Sequence, residues 1–277
     1  MEKVEQTSVP AAISKPETSL ASAIWWAVRK FLADGADAWN VSPKMIAVLC
    51  AVPFIVALTG VVAALISKDL YKWFTREDGF AESMQVIFYS AALVLSIVIL
   101  RRLWTRGHRG LALLYLGVCL GLFFLIGEEL SWGQRIIGWA TPGSFASANK
   151  QEETNLHNIY GVGATFKWIQ LLIGAYGVVL PLIVLRWTIP ARLQYTVSMV
   201  VPHPTLIPYF AFLFVWRVFR NSVEVPSRFY FAVAEYNEVM ELILAMGIFL
   251  FMVYQIRRLK SGKEAALSAQ TAKTGSL

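Results

Sequence analysis

The residues whose types are best suited to catalysis or binding form the string Gly127-Glu128-Glu129-Leu130-Ser131-Trp132-Gly133-Gln134-Arg135. It carries two adjacent carboxylates and an arginine directly after residues 110–126, a run without any charge. Ionisable groups at the end of an apolar helix are costly to hold near hydrocarbon, so they tend to mark a functional site. The next question is which other polar groups the fold brings beside this string.

Three further segments carry acids and amides that could join it. Glu77-Asp78-Gly79, together with Glu82, stands before one apolar run, and residues 152–158 stand before another. A third apolar run contains polar residues within its first half, namely Glu235, Asn237, Glu238 and Glu241. Acids inside an apolar run need partners, and lining a wet cavity would supply them.

The composition predicts an all-α protein, a polytopic transmembrane helix bundle. Hydrophobic residues make up 57% of the chain and charged residues only 16%, against about 25% charged residues in average proteins. Roughly 20 apolar residues span a bilayer. We expect about six spans, at residues 45–66, 82–100, 110–128, 166–185, 205–219 and 229–256. Pro202, Pro204 and Pro208 interrupt the fifth run, so either a short helix begins near Thr205 or one broken helix crosses the membrane.

The segments outside the spans complete the predicted domain organisation. A helix with Ile24, Val28 and Phe31 on one side and charges on the other is typical of the membrane interface. The predicted regions are a disordered cytoplasmic tail at 1–20, an interfacial amphipathic helix at 21–43, a six-span domain at 44–258 with a long periplasmic loop at 129–165, and a disordered basic cytoplasmic tail at 259–277.

Lysine and arginine predict the orientation. They precede span one, crowd the loop after span two and follow spans four and six, and all four groups share one face in a six-span chain. The positive-inside rule then puts both termini in the cytoplasm and the acid-rich loops in the periplasm. Because the bases lie at span ends and no Gly-rich phosphate loop or dinucleotide fingerprint occurs, neither nucleic-acid binding nor a soluble nucleotide-dependent enzyme is indicated.

Helical spacing would align several of these side chains. If span three continues as a helix, Glu128, Ser131, Trp132 and Arg135 share one face. If residues 149–158 are helical, Asn149, Glu153 and His157 are also aligned. Structural roles are alternatives: Glu77 and Asp78 could cap span two, and Glu128, Glu129 and Arg135 could form an interfacial salt-bridge network.

The residue types limit the chemistry. His157 is the one histidine on the predicted outer side, so a zinc site built on three histidines is excluded there. Carboxylates with one histidine could hold a divalent cation such as Mg²⁺, Mn²⁺ or Ca²⁺. Two carboxylates in different environments could instead act as acid and base without a metal. The candidate metal ligands are Glu129, Glu153, His157 and Glu238.

Three of the strings resemble a recurring set in uncharacterised bacterial multi-pass membrane proteins. They are Glu77-Asp78-Gly79 with Glu82, the string from Gly127 to Arg135, and Asn155-Leu156-His157-Asn158. The resemblance covers roughly residues 75–160. It implies a location in the bacterial inner membrane and implies no particular reaction.

The leading functional hypothesis is a membrane-embedded enzyme that acts at the periplasmic face on a lipid or lipid-linked substrate. The candidate catalytic residues are Glu128, Glu129, Glu153, His157, Glu238 and Glu241. The candidate substrate-binding residues are Arg135, Trp132, Gln134, Asn155, Glu82 and Glu235. One alternative is a scaffold or assembly subunit whose loop 129–165 docks a membrane-protein partner. The other is an ion-coupled transporter with Glu235, Glu238 and Glu241 as a relay.

Overall fold

The computed structural model describes residues 19–76, 78–149, 153–156 and 159–260, and for Arg135 it describes the backbone alone. The α-helices are α1 (Leu20–Trp39), α2 (Pro43–Ile66), α3 (Lys68–Thr75), α4 (Phe80–Thr105), α5 (Arg109–Glu129), α6 (Gln134–Ile137), α7 (Gly143–Ala146), α8 (Gly163–Arg186), α9 (Ala191–Val200), α10 (Ile207–Ser222) and α11 (Ser227–Lys260). Six helical segments are long and apolar enough to cross a membrane. The predicted all-α bundle of about six spans is therefore confirmed, and the chain is a multi-pass membrane protein.

The chain divides into a first unit that ends at Leu49 and a larger unit that begins at Cys50. In the first unit, helix α1 begins where the Ser19 side chain accepts a hydrogen bond from the Ser22 backbone N–H at 3.1 Å. It ends at Asn40, whose backbone is left-handed, a conformation that often ends helices. The location of α1 in the membrane interface stays a prediction.

Both predicted tails fall almost wholly outside the described residues. Residues 1–18 and 261–277 are not described. Helix α11 continues to Lys260, so it includes the first two residues of the segment predicted as the basic tail.

Five helices of the larger unit pack in the series α5–α4–α11–α10–α8. Helices α5 and α8 lie at the two ends of this series and do not pack closely on each other. Helix α11 is the most buried of the six spans, so it forms the centre of the bundle. The acids that the sequence puts on α11 are half-buried.

The apolar stretch around the fifth span is divided between two helices. Helix α9 ends at Val200, a 3₁₀ turn covers Pro204–Leu206, and α10 then begins at Ile207. Pro202 and Pro204 have no backbone N–H to donate, so an α-helix cannot continue through them without losing hydrogen bonds. The structure has two helices, α9 and α10, on either side of the 3₁₀ turn, and together they form one of the six segments that are long and apolar enough to cross a membrane, Ala191–Ser222. Both alternatives, a short helix that begins near Thr205 and one broken helix that crosses the membrane, therefore stay predictions.

The contact between α8 and α10 depends on the small size of Gly177. A Cβ atom at this position would overlap the ring of Phe210 on α10. At Gly117 on α5, by contrast, a Cβ atom would meet no other atom within 4 Å. The two glycines therefore give a matched pair of sites for testing this contact.

Replacing Gly177 with alanine should destabilise the bundle, because the added methyl forces α8 and α10 apart. Overpacking of this kind typically costs about 1–3 kcal/mol. Thermal unfolding of the purified protein in detergent measures the effect, with Gly117→Ala as the control that leaves the midpoint unchanged or raises it. Equal midpoints for the two variants would contradict the close packing of α8 on α10.

Candidate functional site

A cavity of about 580 Å³ lies at one end of the bundle. Helices α4, α5, α8, α10 and α11 all contribute to its wall. On α8 the lining runs from Gly163 to Ile173, which at 1.5 Å per residue is a depth of about 15 Å. The size is within the range of about 300–1,000 Å³ that is usual for small-molecule sites.

The lining of this cavity includes both charged and apolar side chains. Its charged side chains are Glu82, Glu128, Glu129, Lys167, Arg217, Glu238 and Glu241. Its large apolar and aromatic side chains are Tyr89, Phe124, Leu125, Phe166, Ile169, Ile173 and Leu244. Acids exceed bases in the described lining, so the cavity as a whole favours a ligand with positive charge or with hydrogen-bond donors.

Glu241 on α11 is surrounded by hydrogen-bond donors. Its Oε1 accepts hydrogen bonds from Gln170 Nε2 at 2.7 Å and from the Asn237 side-chain amide, one turn earlier on α11. Arg217 Nη2 lies 3.4 Å from the same oxygen and forms an ion pair with it. Donors from three helices therefore meet at a single carboxylate, as an anion inside a membrane bundle requires.

Glu238 differs from Glu241 in its surroundings. Its Oε2 accepts one hydrogen bond, from Gln85 Nε2 of α4 at 3.0 Å. It interacts electrostatically with Glu241, Glu129 and Glu82. Like charges at this range destabilise one another unless one group carries a proton or a cation lies between them. Glu238 and Glu241 are thus neighbouring carboxylates with unlike partners.

Arg217 of α10 is 5% exposed, and its ion pair with Glu241 is correspondingly buried. Its Nε is buried without a hydrogen-bond partner among the described residues. The same holds for three amide oxygens, Gln85 Oε1, Gln170 Oε1 and Asn237 Oδ1. Buried polar atoms are rarely left unpaired in folded proteins.

The end of α5 differs from the sequence prediction. The helix does not continue through Arg135: it ends at Glu129, and Ser131 and Trp132 have positive φ values of 45° and 53°. The expected alignment of Glu128, Ser131, Trp132 and Arg135 on one helical face is therefore wrong. Left-handed backbone at residues other than glycine is strained, and it persists where surrounding contacts enforce it.

Hydrogen bonds around Glu128 supply these contacts. Glu128 Oε1 accepts from Trp132 Nε1 at 2.7 Å, and its Oε2 accepts from the Leu156 backbone N–H at 2.8 Å. Glu153 Oε2 accepts from Ser131 Oγ at 2.7 Å and from Asn155 Nδ2 at 2.8 Å. The hydrogen bonds of these two carboxylates therefore connect the segment after α5 with residues 153–156.

The predicted helix over residues 149–158 is also wrong in its described part. Asn149 forms an isolated antiparallel bridge with Ile159, and residues 153–156 are not helical. Gln134 connects the same region, because its side chain donates to Thr141 Oγ1 and accepts from the Thr154 N–H, both at 2.8 Å. The polar residues of this loop mainly fix its own conformation.

The predicted site residues consequently separate into groups. Glu82, Glu128, Glu129, Glu238 and Glu241 line the cavity. Trp132, Gln134, Glu153 and Asn155 belong to the adjoining loop. His157 and the side chain of Arg135 lie outside what the structure describes.

Glu82 and Glu235, the two acids predicted to bind substrate, have different contacts. Glu82 Oε2 accepts the backbone N–H of Asp78 at 2.6 Å, so it caps the start of α4 as well as lining the cavity. Glu235 does not line this cavity and interacts electrostatically with Lys72 of α3. Its predicted contact with substrate stays a prediction.

Metal binding stays a prediction. Within the described residues, no three His, Cys, Asp or Glu side chains are grouped so that they could hold a metal ion. The proposed set of Glu129, Glu153, His157 and Glu238 includes a residue outside that part of the chain.

The sequence patterns did not indicate three polar side chains that bind the acids of α11, namely Arg217, Gln85 and Gln170. All three lie within or beside apolar runs, and polar residues in such positions commonly face a bundle interior. Applying this rule to amides as well as to acids would have found them.

Comparison of the chain with protein-family models, with curated proteins and with solved structures gives no significant match.

The strained turn after α5 should depend on the hydrogen bond between Trp132 and Glu128. Trp132→Phe keeps an aromatic ring beside Phe123 and Phe124 but removes the indole N–H. A hydrogen bond to a charged group contributes about 1.5–3 kcal/mol, so we expect a lower thermal midpoint in detergent. Trp168→Phe, at a position that is 59% exposed, is the control. No difference between the two variants would contradict a stabilising role for this bond.

Proposed function

We propose that the protein is a membrane-embedded enzyme that acts on a lipid or lipid-linked substrate. The observation that carries this proposal is the cavity itself, whose lining combines carboxylates and Arg217 with apolar side chains such as Phe124 and Ile169. An amphiphile is the kind of ligand that matches such a mixed lining.

The position of the cavity favours an enzyme over a transporter. Its lining comes from one end of the bundle, including the end of α5 and the start of α8. A second cavity of about 360 Å³, with Tyr254 and Arg258 in its wall, lies at the other end and shares no lining residue with the first. The substrate sites of carriers lie near the bilayer midplane, whereas a cavity at one end of the bundle suits chemistry at the head-group level.

The two acids of α11 are the best candidates for the chemistry. We assign Glu241 as the anion, because Arg217, Gln170 and Asn237 supply its donors. We assign Glu238 as the group that transfers a proton to or from the substrate, because it has fewer donors and several acidic neighbours. Two carboxylates in unlike environments can divide the roles of acid and base.

The loop residues are assigned a positioning role in this proposal. Glu128 and Glu153 are engaged in hydrogen bonds that hold the segment after α5. Glu129 lines the cavity and is the third candidate for contact with substrate. We retain His157 and a divalent cation as candidate additions to the site.

The location belongs to the same proposal. The positive-inside distribution of Lys and Arg puts both termini in the cytoplasm and the cavity at the periplasmic face of a bacterial inner membrane. The scaffold alternative, in which residues 129–165 dock a membrane-protein partner, is the second candidate, because the hydrogen bonds of Glu153 and Gln134 give that loop a defined conformation.

Lipid analysis tests the enzymatic proposal. Cells that lack the gene should accumulate one lipid or lipid-linked species and lose another, and the wild-type gene should reverse both changes. The purified protein in nanodiscs should convert the accumulated species in a membrane-lipid extract. Unchanged lipids in the deletion strain, together with stable co-purification of one membrane protein, would favour the scaffold alternative instead.

A further inference from the structure

The second cavity, of about 360 Å³, lies at the opposite ends of α8 and α11 from the first. Part of its wall is one face of α9, formed by four residues at helical spacing, namely Gln194, Val197, Ser198 and Val201. The last turns of α8, residues 202–204 and the final part of α11 complete the wall. None of the acids that line the first cavity takes part in this one.

The charge around the second cavity is of one sign. Arg258 and His203 are its basic lining residues, and within the described residues no acid lines it. The surrounding sequence is similar, because residues 159–223 and 242–260 contain no Asp or Glu. Further bases stand within two residues of the lining, namely Arg186, Arg192, Arg257 and Lys260. A local excess of positive charge attracts an anionic ligand.

Neutral acceptors hold Arg258 in place. Its Nη1 donates to the Ser198 backbone carbonyl, and its Nη2 donates to Ser198 Oγ at 2.7 Å. Nη1 also lies 3.4 Å from Gln255 Oε1. These bonds orient the guanidinium but do not neutralise its positive charge. A guanidinium has five N–H donors in a planar fork, which matches the oxygens of a phosphate group.

His203 lies close to Arg258 around one aromatic ring. The His203 ring centre is 5.2 Å from that of Tyr254, and the Arg258 guanidinium carbon is 5.8 Å from the same centre. His203 Nδ1 accepts the backbone N–H of Thr205 at 3.3 Å. The proton of a neutral His203 ring is therefore on Nε2, which makes that nitrogen a hydrogen-bond donor.

The cavity reaches the protein surface beside α9. Trp187 lines it and is 70% exposed, and Gln194 lines it and is also exposed. Apolar side chains form other parts of the wall, including Val184, Ile189 and Val197. Tryptophan is typical of the depth at which lipid head groups lie. A ligand with an anionic group and an apolar part therefore matches this lining.

We infer that the second cavity binds the phosphate group of an anionic ligand, with Arg258 as the cation and His203 as a further donor. The apolar lining favours a phospholipid over inorganic phosphate as the source of that group. Basic pockets between membrane helices at the cytoplasmic side are typical sites for anionic lipids, and the positive-inside rule predicts that this end is cytoplasmic. The inference does not depend on the enzymatic proposal for the first cavity.

Three probes separate recognition of phosphate from binding of acyl chains. The wild-type protein in a non-ionic detergent is titrated with dioleoyl phosphatidylglycerol, with dioleoylglycerol, which has the same chains without phosphate, and with inorganic phosphate. Native mass spectrometry and the shift in thermal midpoint report binding. We expect phosphatidylglycerol to bind at least about tenfold more tightly than dioleoylglycerol, since a charge-assisted hydrogen bond contributes about this factor. Binding of inorganic phosphate as well would support phosphate recognition and assign a soluble source. Equal binding of the two lipids overturns the inference.

Two neighbouring arginines test the position of the site. Arg258→Gln removes the cation from the cavity wall, and we expect it to lower the affinity for phosphatidylglycerol at least about tenfold. Arg257→Gln removes the same charge from an exposed residue outside the lining, and we expect it to bind as the wild type does. Equal affinities of the two variants overturn the assignment of this cavity.

A second pair of variants keeps Arg258 and its bonds to Ser198, so it decides the question if Arg258→Gln does not fold. Gln194→Glu adds a negative charge to the exposed part of the lining, and we expect about fivefold weaker binding of phosphatidylglycerol. Thr196→Glu adds the same charge to an exposed residue of α9 outside the lining and should have little effect. The same affinity for both variants overturns the inference.

Discussion

On the proposed enzymatic function, replacing Glu238 with glutamine should lower the rate of lipid conversion by about 10²–10⁴-fold, the usual contribution of a positioned acid or base. The amide has almost the same shape as the carboxylate, and its oxygen can still accept the hydrogen bond from Gln85 Nε2. The variant loses only the ability to exchange a proton and a negative charge. We therefore expect a folded, membrane-inserted protein that binds substrate and does not convert it.

The rate of conversion in nanodiscs, measured by mass spectrometry at saturating lipid, checks this expectation. Glu224→Gln, at an exposed position between α10 and α11, is the control that retains wild-type activity. A Glu238→Gln protein that keeps its thermal midpoint and its activity would show that Glu238 is not the proton-transfer group. A loss of activity accompanied by unfolding would instead assign Glu238 a structural role.

The architecture of this protein follows closely from its sequence because the membrane imposes simple rules. Backbone polar groups in hydrocarbon must be satisfied within the segment, so a long apolar run is a helix. Proline marks the place where such a helix stops, which is why Pro202 and Pro204 correctly indicated an interruption before α10. The gathering of Glu82, Glu128 and Glu238 at one end follows from the alternating direction of successive spans.

The segment after α5 was less predictable. Helical periodicity assumes that the helix continues, but Glu128 and Glu153 bind groups that are distant in sequence, and this stabilises left-handed backbone at Ser131 and Trp132. Local propensity contains no information about such tertiary contacts. The sequence therefore indicated correctly that the charge-rich string lies at the end of an apolar helix, but it predicted the wrong backbone conformation for that string.

The separation of Glu235 from Glu238 and Glu241 has a similar cause. The three acids lie within two turns of α11, but the faces of α11 contact different neighbours, with α3 near Glu235 and the cavity beside Glu238. Sequence spacing gives the angle between side chains on a helix, whereas the identity of the neighbouring helix is a property of the folded bundle. The role of Arg217 as a partner of Glu241 depends on the same packing.

The buried ion pair between Arg217 and Glu241 should dominate the stability of this end of the bundle. Arg217→Met leaves Glu241 with the amides of Gln170 and Asn237 but without a cation. Removing one partner of a buried pair typically costs about 3–5 kcal/mol, because the remaining charge stays desolvated. We expect a loss of this size in the free energy of unfolding, measured by denaturant titration of the purified protein in detergent micelles.

The double variant distinguishes the ion pair from simple loss of packing. Glu241→Gln removes the second charge and keeps an oxygen that can accept from Gln170, so Arg217→Met with Glu241→Gln has no unpaired charge left. We expect it to be more stable than Arg217→Met alone, with a coupling energy of about 1–3 kcal/mol between the two positions. Lipid conversion should stay low, because the variant lacks the anion and the cation assigned to the site. Additive effects of the two replacements would mean that Arg217 stabilises the bundle through its packing, and that Glu241 does not depend on it as a counter-ion.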